Sequence, residues 1–411
     1  MNKVVKVLDN LMGRDRSEAA VGWIKRNPKE KYIYITNSLE HSVGYLRENL
    51  SGVEFVTANS NRGGEDLLSL LKRGSNVITS GNSLLSLSGI DFEFLLKHKY
   101  TLIMEGEIEV VKPFRGMSSK DDIGILEEAG SVTIDYNNLG KVTWVRDYEF
   151  GSYDEIKSLA KAGVLHATPK SSNKNIYVSV VPTDLLLYCK EVVILTYLFE
   201  GGILHKLLQL RGFSFEDVCL YDEKPLKEFV ADRVRLHEVD RSSLPEGCTL
   251  SYSYLTKLQR KVDAKGIHNT ILKCYRKSLS GRRDSLTETM VTLPKINAKG
   301  LGNKKKDDKL VLLGGKISPK TWVACNSKNY SKYTNKTRLI HSFNRFPSTE
   351  VESFIGFWSK EFGGGGFNRN LFALKELLDW IYLSALSVGA EVDLFIVSER
   401  MERIFRNWLE E

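Results

Sequence analysis

The chain has 411 residues, 42% hydrophobic and 10% aromatic, which is enough for two domains with cores of their own. No run approaches ~20 uninterrupted apolar residues, and the opening MNKVVKVLDN lacks the apolar stretch and small-residue cleavage site of a secretory leader, so neither a membrane span nor export is expected. The net charge of +8 is unevenly spread: between Thr256 and Arg345 stand 22 Lys/Arg against five Asp/Glu, a local +17 on a remainder of −9, and segregation of this size points to a polyanionic partner.

Met12–Ala20 reads MGRDRSEAA at the place of a phosphate-binding loop. Such a loop needs glycines whose amides cradle phosphate, a lysine that reaches the outer phosphates and a hydroxyl for Mg²⁺. Gly13 is present and Ser17 supplies a hydroxyl, but Asp15 replaces the inner glycine and Arg16 the lysine. Downstream, apolar spacing predicts helices over Ser17–Asn27, His41–Leu50, Asp66–Arg73 and Phe92–Lys97. The β-rich runs predict strands at Tyr32–Thr36, Glu54–Thr57, Asn76–Ser80 and from Tyr100. Alternation of this kind argues a parallel sheet whose carboxyl edge carries the ligand site.

A second unit is expected from about Gly151, with a helix at Tyr153–Ala162, strands at Ile176–Val181 and from Glu191, and a helix at Ile203–Leu210. From Ser242 to Lys320 the pattern weakens, and AKGLGNKKKDDK (Ala298–Lys309) reads as a loop. Order returns at Thr321–Asn326. GGGG at Gly363–Gly366 reads as a flexible joint, followed by an amphipathic helix at Leu371–Leu386, a strand at Val392–Val397 and a closing helix.

Five scattered cysteines without a CxxC pair fit reduced thiols in a cytosol, and seven histidines without HExxH give no metal spacing. GxSxG is absent, which speaks against a hydrolase elbow. Glu105, Glu107 and Glu109 form a weaker candidate for a nuclease-like metal trio.

Five fragments in order resemble the superfamily II, DEAD-like helicases of tailed bacteriophages. YIYIT after the Walker-like loop resembles that family's first strands. TLIMEGEIEVVKPF (Thr101–Phe114) is similar to its DEAD-type segment, and VVILTYLFEGGIL (Val192–Leu204) to the opening strand of its second core domain. TWVACNSKNYSKYTNKTRLIHSFNRF (Thr321–Phe346) and ALKELLDWIYLSAL with VDLFIVSERM (Ala373–Met401) resemble its later motifs. The resemblance implies an α/β fold of two RecA-like parallel-sheet domains, at 1–150 and 151–411, with a basic insertion at about 242–320 in the second. Leu102, Ile103, Val192, Ile194, Leu377, Trp380, Phe395 and Ile396 are the expected packing positions.

The departures fall on catalysis. Glu105 stands where the family's metal-binding aspartate is expected, and Gly106 where its water-orienting glutamate is expected. Of the arginines that in relatives face the γ-phosphate, only Arg400 remains, and Asn326, Ser327 and Lys328 replace an asparagine-alanine-arginine triplet. The expectation is a pseudo-helicase without ATPase activity, cofactor or metal. It would hold single-stranded DNA in the bacterial host cytoplasm and serve a phage RNA or DNA polymerase in transcription or replication. A divergent active ATPase using Arg16, Ser17 and Glu105, and a mimic of a host helicase, are the alternatives.

In the basic block, lysine and arginine would neutralise phosphates while interleaved aromatics stack on bases. Of the five aromatics (Tyr275, Trp322, Tyr330, Tyr333 and Phe343), Trp322 and Phe343 are read as core. The candidate contacts are Arg276, Lys277, Arg282, Arg283, Lys304, Lys305, Lys306, Lys328, Tyr330, Lys332, Tyr333 and Lys336. If Lys328, Lys332 and Lys336 lie on a helix, their spacing of four puts them on one face beside Tyr333.

Overall fold

The computed structural model describes residues 3–9, 14–58, 64–87, 90–116, 122–146, 153–169, 176–218, 224–258, 260–279, 287–295, 297, 313, 317–327 and 332–411. The chain forms two units. The first comprises Met1–Leu11, Asp15–Leu220 and Pro347–Asn368, and the second Met12–Arg14, Tyr221–Phe346 and Arg369–Glu411.

The strands of the first unit are β1 (Val4–Leu8), β2 (Lys31–Thr36), β3 (Val56–Thr57), β4 (Val77–Ser80), β5 (Tyr100–Glu105), β6 (Val111–Pro113), β7 (Val132–Asp135), β8 (Lys141–Trp144), β9 (Leu165–Ala167), β10 (Tyr177–Val180), β11 (Glu191–Leu195) and β12 (Ser214–Asp217). Seven of them make a wholly parallel sheet in the order β12-β1-β11-β5-β2-β4-β3. Its central strands are near-continuous apolar runs, as covering both faces of a parallel sheet demands. Leu102, Ile103, Val192 and Ile194 are fully buried, as expected of packing positions.

Two expectations are corrected here. Val192–Leu195 does not open a second domain: β11 pairs with both β1 and β5 inside the first sheet, with Val193 level with Lys6 and Ile103. The first unit therefore runs well past residue 150, and it recruits Pro347–Asn368 as well.

The other five strands make an antiparallel sheet, β6-β10-β9-β8-β7, between β5 and β11 in the chain. The helix Thr349–Glu361 packs on it. Ser348 caps that helix by accepting a hydrogen bond from the Val351 amide (3.2 Å), and Phe354, Ile355 and Trp358 are buried. Gly140 (φ +68°) sits beneath, where a Cβ would meet the Ala167 carbonyl and, at 3.0 Å, the Trp358 ring, so only glycine fits. The glycine run is tied down at one point, where Lys206 Nζ donates to the Gly365 carbonyl (3.3 Å).

The second unit holds β13 (Val234–His237), β14 (Thr289–Thr292), β15 (Arg338–His341) and β16 (Val392–Ile396), all parallel in the order β13-β16-β15-β14. The helix Lys261–Leu279 buries Ile267, Ile271, Cys274 and Tyr275 in one cluster with Val291, Ile340 and Phe395. Leu377, Trp380, Phe395 and Ile396 are fully buried. Two parallel sheets in an α/β chain are thus the architecture, as expected, with the antiparallel sheet an addition that the sequence did not announce.

Candidate nucleotide site and basic face

The helix Arg14–Arg26 follows β1, and Glu105 ends β5, so the Walker-like residues meet at the carboxyl edge of the first sheet. Ser17 Oγ, buried in the first turns of the helix, donates to Glu105 Oε1, and Ser42 Oγ donates to Glu105 Oε2 (2.6 Å). Ser42 Oγ also lies 2.9 Å from Thr36 Oγ1. Tyr34 is buried beside this carboxylate. Burial first, and then the charge of Glu105, hold its phenol well above the usual 10. Both carboxylate oxygens of Glu105 are therefore engaged by serine hydroxyls.

Arg16 is the second notable group. Its side chain is only 5% exposed, and a Cβ on Gly106 would lie 3.0 Å from its Nη1. Gly106 (φ +76°) occupies a left-handed backbone that glycine tolerates best. The guanidinium thus lies against the residue position where the family pattern has its water-orienting glutamate, and Gly106 has no side chain to hold a water. Asp15 is exposed, and Gly13 lies outside the described residues.

The acidic trio does not converge. Glu107 Oε1 accepts from the Leu204 amide (2.8 Å) at the start of the helix Ile203–Leu210, an anion on a helix N-terminus. Glu109 is exposed and pairs with Lys112 at 3.4 Å. Among the described residues no group of three or more His, Cys, Asp or Glu is placed to hold a metal.

In the second unit Arg400 spends its donors internally. Nη1 reaches Asn344 Oδ1 (2.8 Å) and the Arg345 carbonyl (3.0 Å), and Nη2 reaches the Arg369 carbonyl and Asn370 Oδ1 (both 2.9 Å). It binds the end of β15 to the start of the helix Arg369–Ile381. Arg345, which the sequence did not single out, forms a partly buried ion pair with Glu376. Burial works against its charge, but Cys325 and Glu376 outweigh that and keep it protonated. His341 is fully buried, with neither ring nitrogen finding a hydrogen-bond partner among the described residues, and burial, then the Arg345 charge, push its pKa down to about 3.

Among the basic candidates, Arg276 and Lys277 are exposed on the helix Lys261–Leu279, with Lys277 Nζ donating to the Glu238 carbonyl (3.2 Å). Lys332–Lys336 is not helical. It forms bends and a turn closed by Lys336 N to Tyr333 O (2.9 Å), because the chain must enter β15 at Arg338. Lys332 Nζ lies 5.7 Å from the Tyr333 ring centre, and Lys336 is half-buried with its pKa lowered by burial. Tyr275 and Phe343 are core residues, and Trp322 Nε1 donates to the Leu293 carbonyl (2.8 Å), so none of the three is a free stacking surface. Arg282, Arg283, Lys304, Lys305, Lys306, Lys328 and Tyr330 lie outside the described residues.

Residues 229–409 match the family described as the YonV C-terminal Rossmann-like domain. The whole chain is similar to the SPbeta prophage-derived uncharacterized protein YonV of Bacillus subtilis, 26% identical over 440 residues that cover 99% of this chain and 98% of that one. By fold, the chain aligns with XPD in its apo form (TM-score 0.49, 10% identity, 100% of this chain and 95% of that one). It also aligns with an XPD helicase (TM-score 0.47, 10% identity, 100% and 95%) and with the DUF1998 helicase MrfA bound to DNA and AMPPNP (TM-score 0.35, 9% identity, 100% and 48%). Likeness at these scores carries no weight for activity.

Proposed function

We propose that the protein is a helicase-derived phage accessory factor that grips single-stranded DNA without turning over ATP. In this reading it recruits a phage RNA or DNA polymerase to an opened strand, in transcription or replication, in the bacterial host cytoplasm. The carrying observation is Arg16, buried against Gly106, a residue with no side chain to orient a water. Phosphoryl transfer depends on a positioned water, a metal-binding carboxylate and a transition-state arginine, the last alone worth ~10³–10⁵ in rate. Here the water-orienting side chain is gone, and the guanidinium of Arg400 is spent on the fold. The basic block supplies the reason to keep the scaffold: polyanion binding does not need the motor.

Turnover of ATP with and without single-stranded DNA tests the first half. Negligible hydrolysis in both is expected. DNA-stimulated turnover abolished by Arg16→Ala would overturn it in favour of a divergent active ATPase, the reading that the Ser17–Glu105 pairing favours. For the second half, contact with about five phosphates gives a log–log salt slope of roughly −3.5 on single strands. A flat salt response, or preference for duplex, would remove the strand-binding assignment.

A further inference from the structure

The exposed aromatic ring that the basic block needs stands at a position no motif marks. Tyr252 is 61% exposed in the second unit, in the short helix Tyr252–Thr256. The turn before it is held rigidly. Leu250 is buried in a left-handed backbone (φ +52°), its carbonyl accepts from the Asn344 amide (2.9 Å), and Asn344 Nδ2 donates to the Thr249 carbonyl (3.1 Å). Arg400 fixes Asn344 in turn. Ser251 Oγ accepts from the Tyr254 amide (3.3 Å), and the Tyr252 ring lies 6.5 Å from the buried Phe343 ring. Asn344 follows the carboxyl end of β15, so this turn sits at the sheet edge where parallel sheets bind ligands.

Cations follow directly. Lys257, Arg260, Lys261 and Lys265 are all exposed, and Lys261 and Lys265 share a helix face. The one carboxylate in the stretch, Asp263, is bound by Arg260 (2.7 Å), which leaves the three lysines as its net charge. Lysines alone would attract any polyanion. An exposed ring presented five to thirteen residues before them in the chain adds a preference for unpaired bases, whose faces a duplex hides.

We propose that Tyr252 is a base-stacking platform and that Lys257, Lys261 and Lys265 contact the backbone of a single-stranded DNA bound to the second unit. This rests on the strand binding proposed above and places its contact outside the turn at Lys332–Lys336.

The test is anisotropy of a labelled oligothymidine with the full chain, across a salt series, with each variant's fold checked by melting. Tyr252→Ala weakens binding at least about fivefold with an unchanged salt slope, and Tyr252→Trp retains it. Replacing Lys257, Lys261 and Lys265 together by Ala lowers the slope by about 2. Inorganic polyphosphate, which has no rings to stack, is insensitive to Tyr252→Ala. A wild-type chain that binds while Tyr252→Ala stays within about twofold of it overturns this site and leaves the strand-binding reading standing. Equal losses for oligothymidine and polyphosphate also overturn the stacking role. A wild-type chain that binds neither strand nor polyphosphate overturns both.

Discussion

Gly106 joins the backbone and the charge of the first site. Its φ of +76° and the Arg16 nitrogen, 3.0 Å from a notional Cβ, together disfavour any side chain there. Gly106→Ala is expected to lower stability by about 1–2 kcal/mol, the cost of a left-handed L-residue, measured by denaturant unfolding. His341 makes a second prediction. In the folded chain burial holds its pKa down to about 3 against an ordinary 6.5, so the native ring stays neutral while the unfolded ring takes up a proton. Between these values the unfolded state binds more protons. Stability therefore rises with pH across that window, and it falls as pH drops from about 6.5 towards 3. His166, pushed down to about 3 by burial first, acts in the same direction. His341→Gln should flatten the acid limb of a stability–pH curve, and an unchanged limb would show that His341 is not a source of it. At this scale the sequence singles out Ser17 and Glu105 separately, one as a loop hydroxyl and the other through the family resemblance, and the two side chains are hydrogen-bonded. Ser42, Tyr34 and the helix-capping role of Glu107 were not legible, since each is fixed by a partner on another element.

Among the elements, the parallel strands were readable because burial on both faces writes a continuous apolar run, as in Tyr100–Met104 and Val192–Leu195. Partner choice was not readable: an apolar run followed by a loop looks the same in either sheet, which is why β11 was assigned to the wrong unit. The antiparallel sheet escaped because strands such as Val111–Pro113 and Leu165–Ala167 are three residues long, too short to show alternation. The helix Thr349–Glu361 illustrates the same limit, since its apolar face is plain but its target is some 170–240 residues away in the chain. Trp358 anchors it over Gly140. Trp358→Ala should cost about 3–5 kcal/mol in global unfolding, and a loss below about 1 kcal/mol would mean that the helix is not part of the first unit's core.

In the whole molecule the distinctive feature is the path of the chain. Leaving three residues near the start aside, it forms most of the first unit, crosses to the second at residue 221, returns at 347 and leaves again at 369. A chain ended after Phe346 should lack a stable first unit, because Val351, Phe354, Ile355 and Trp358 leave its core. Hydrogen exchange would read this as lost protection in β6 and β10, on which that helix packs. A separately supplied peptide spanning 347–368 should restore it.

This path also bears on synthesis. Chains usually complete their N-terminal domain first as they leave the ribosome. Here the first unit waits for its last core residues until the ribosome has passed position 358, by which time Tyr221–Phe346 has already been made. A growing chain therefore carries the antiparallel sheet with an apolar face still uncovered while the basic segment emerges. Slow translation through that segment would lengthen this exposure, so yield in the cell should depend on how quickly residues 221–358 are translated.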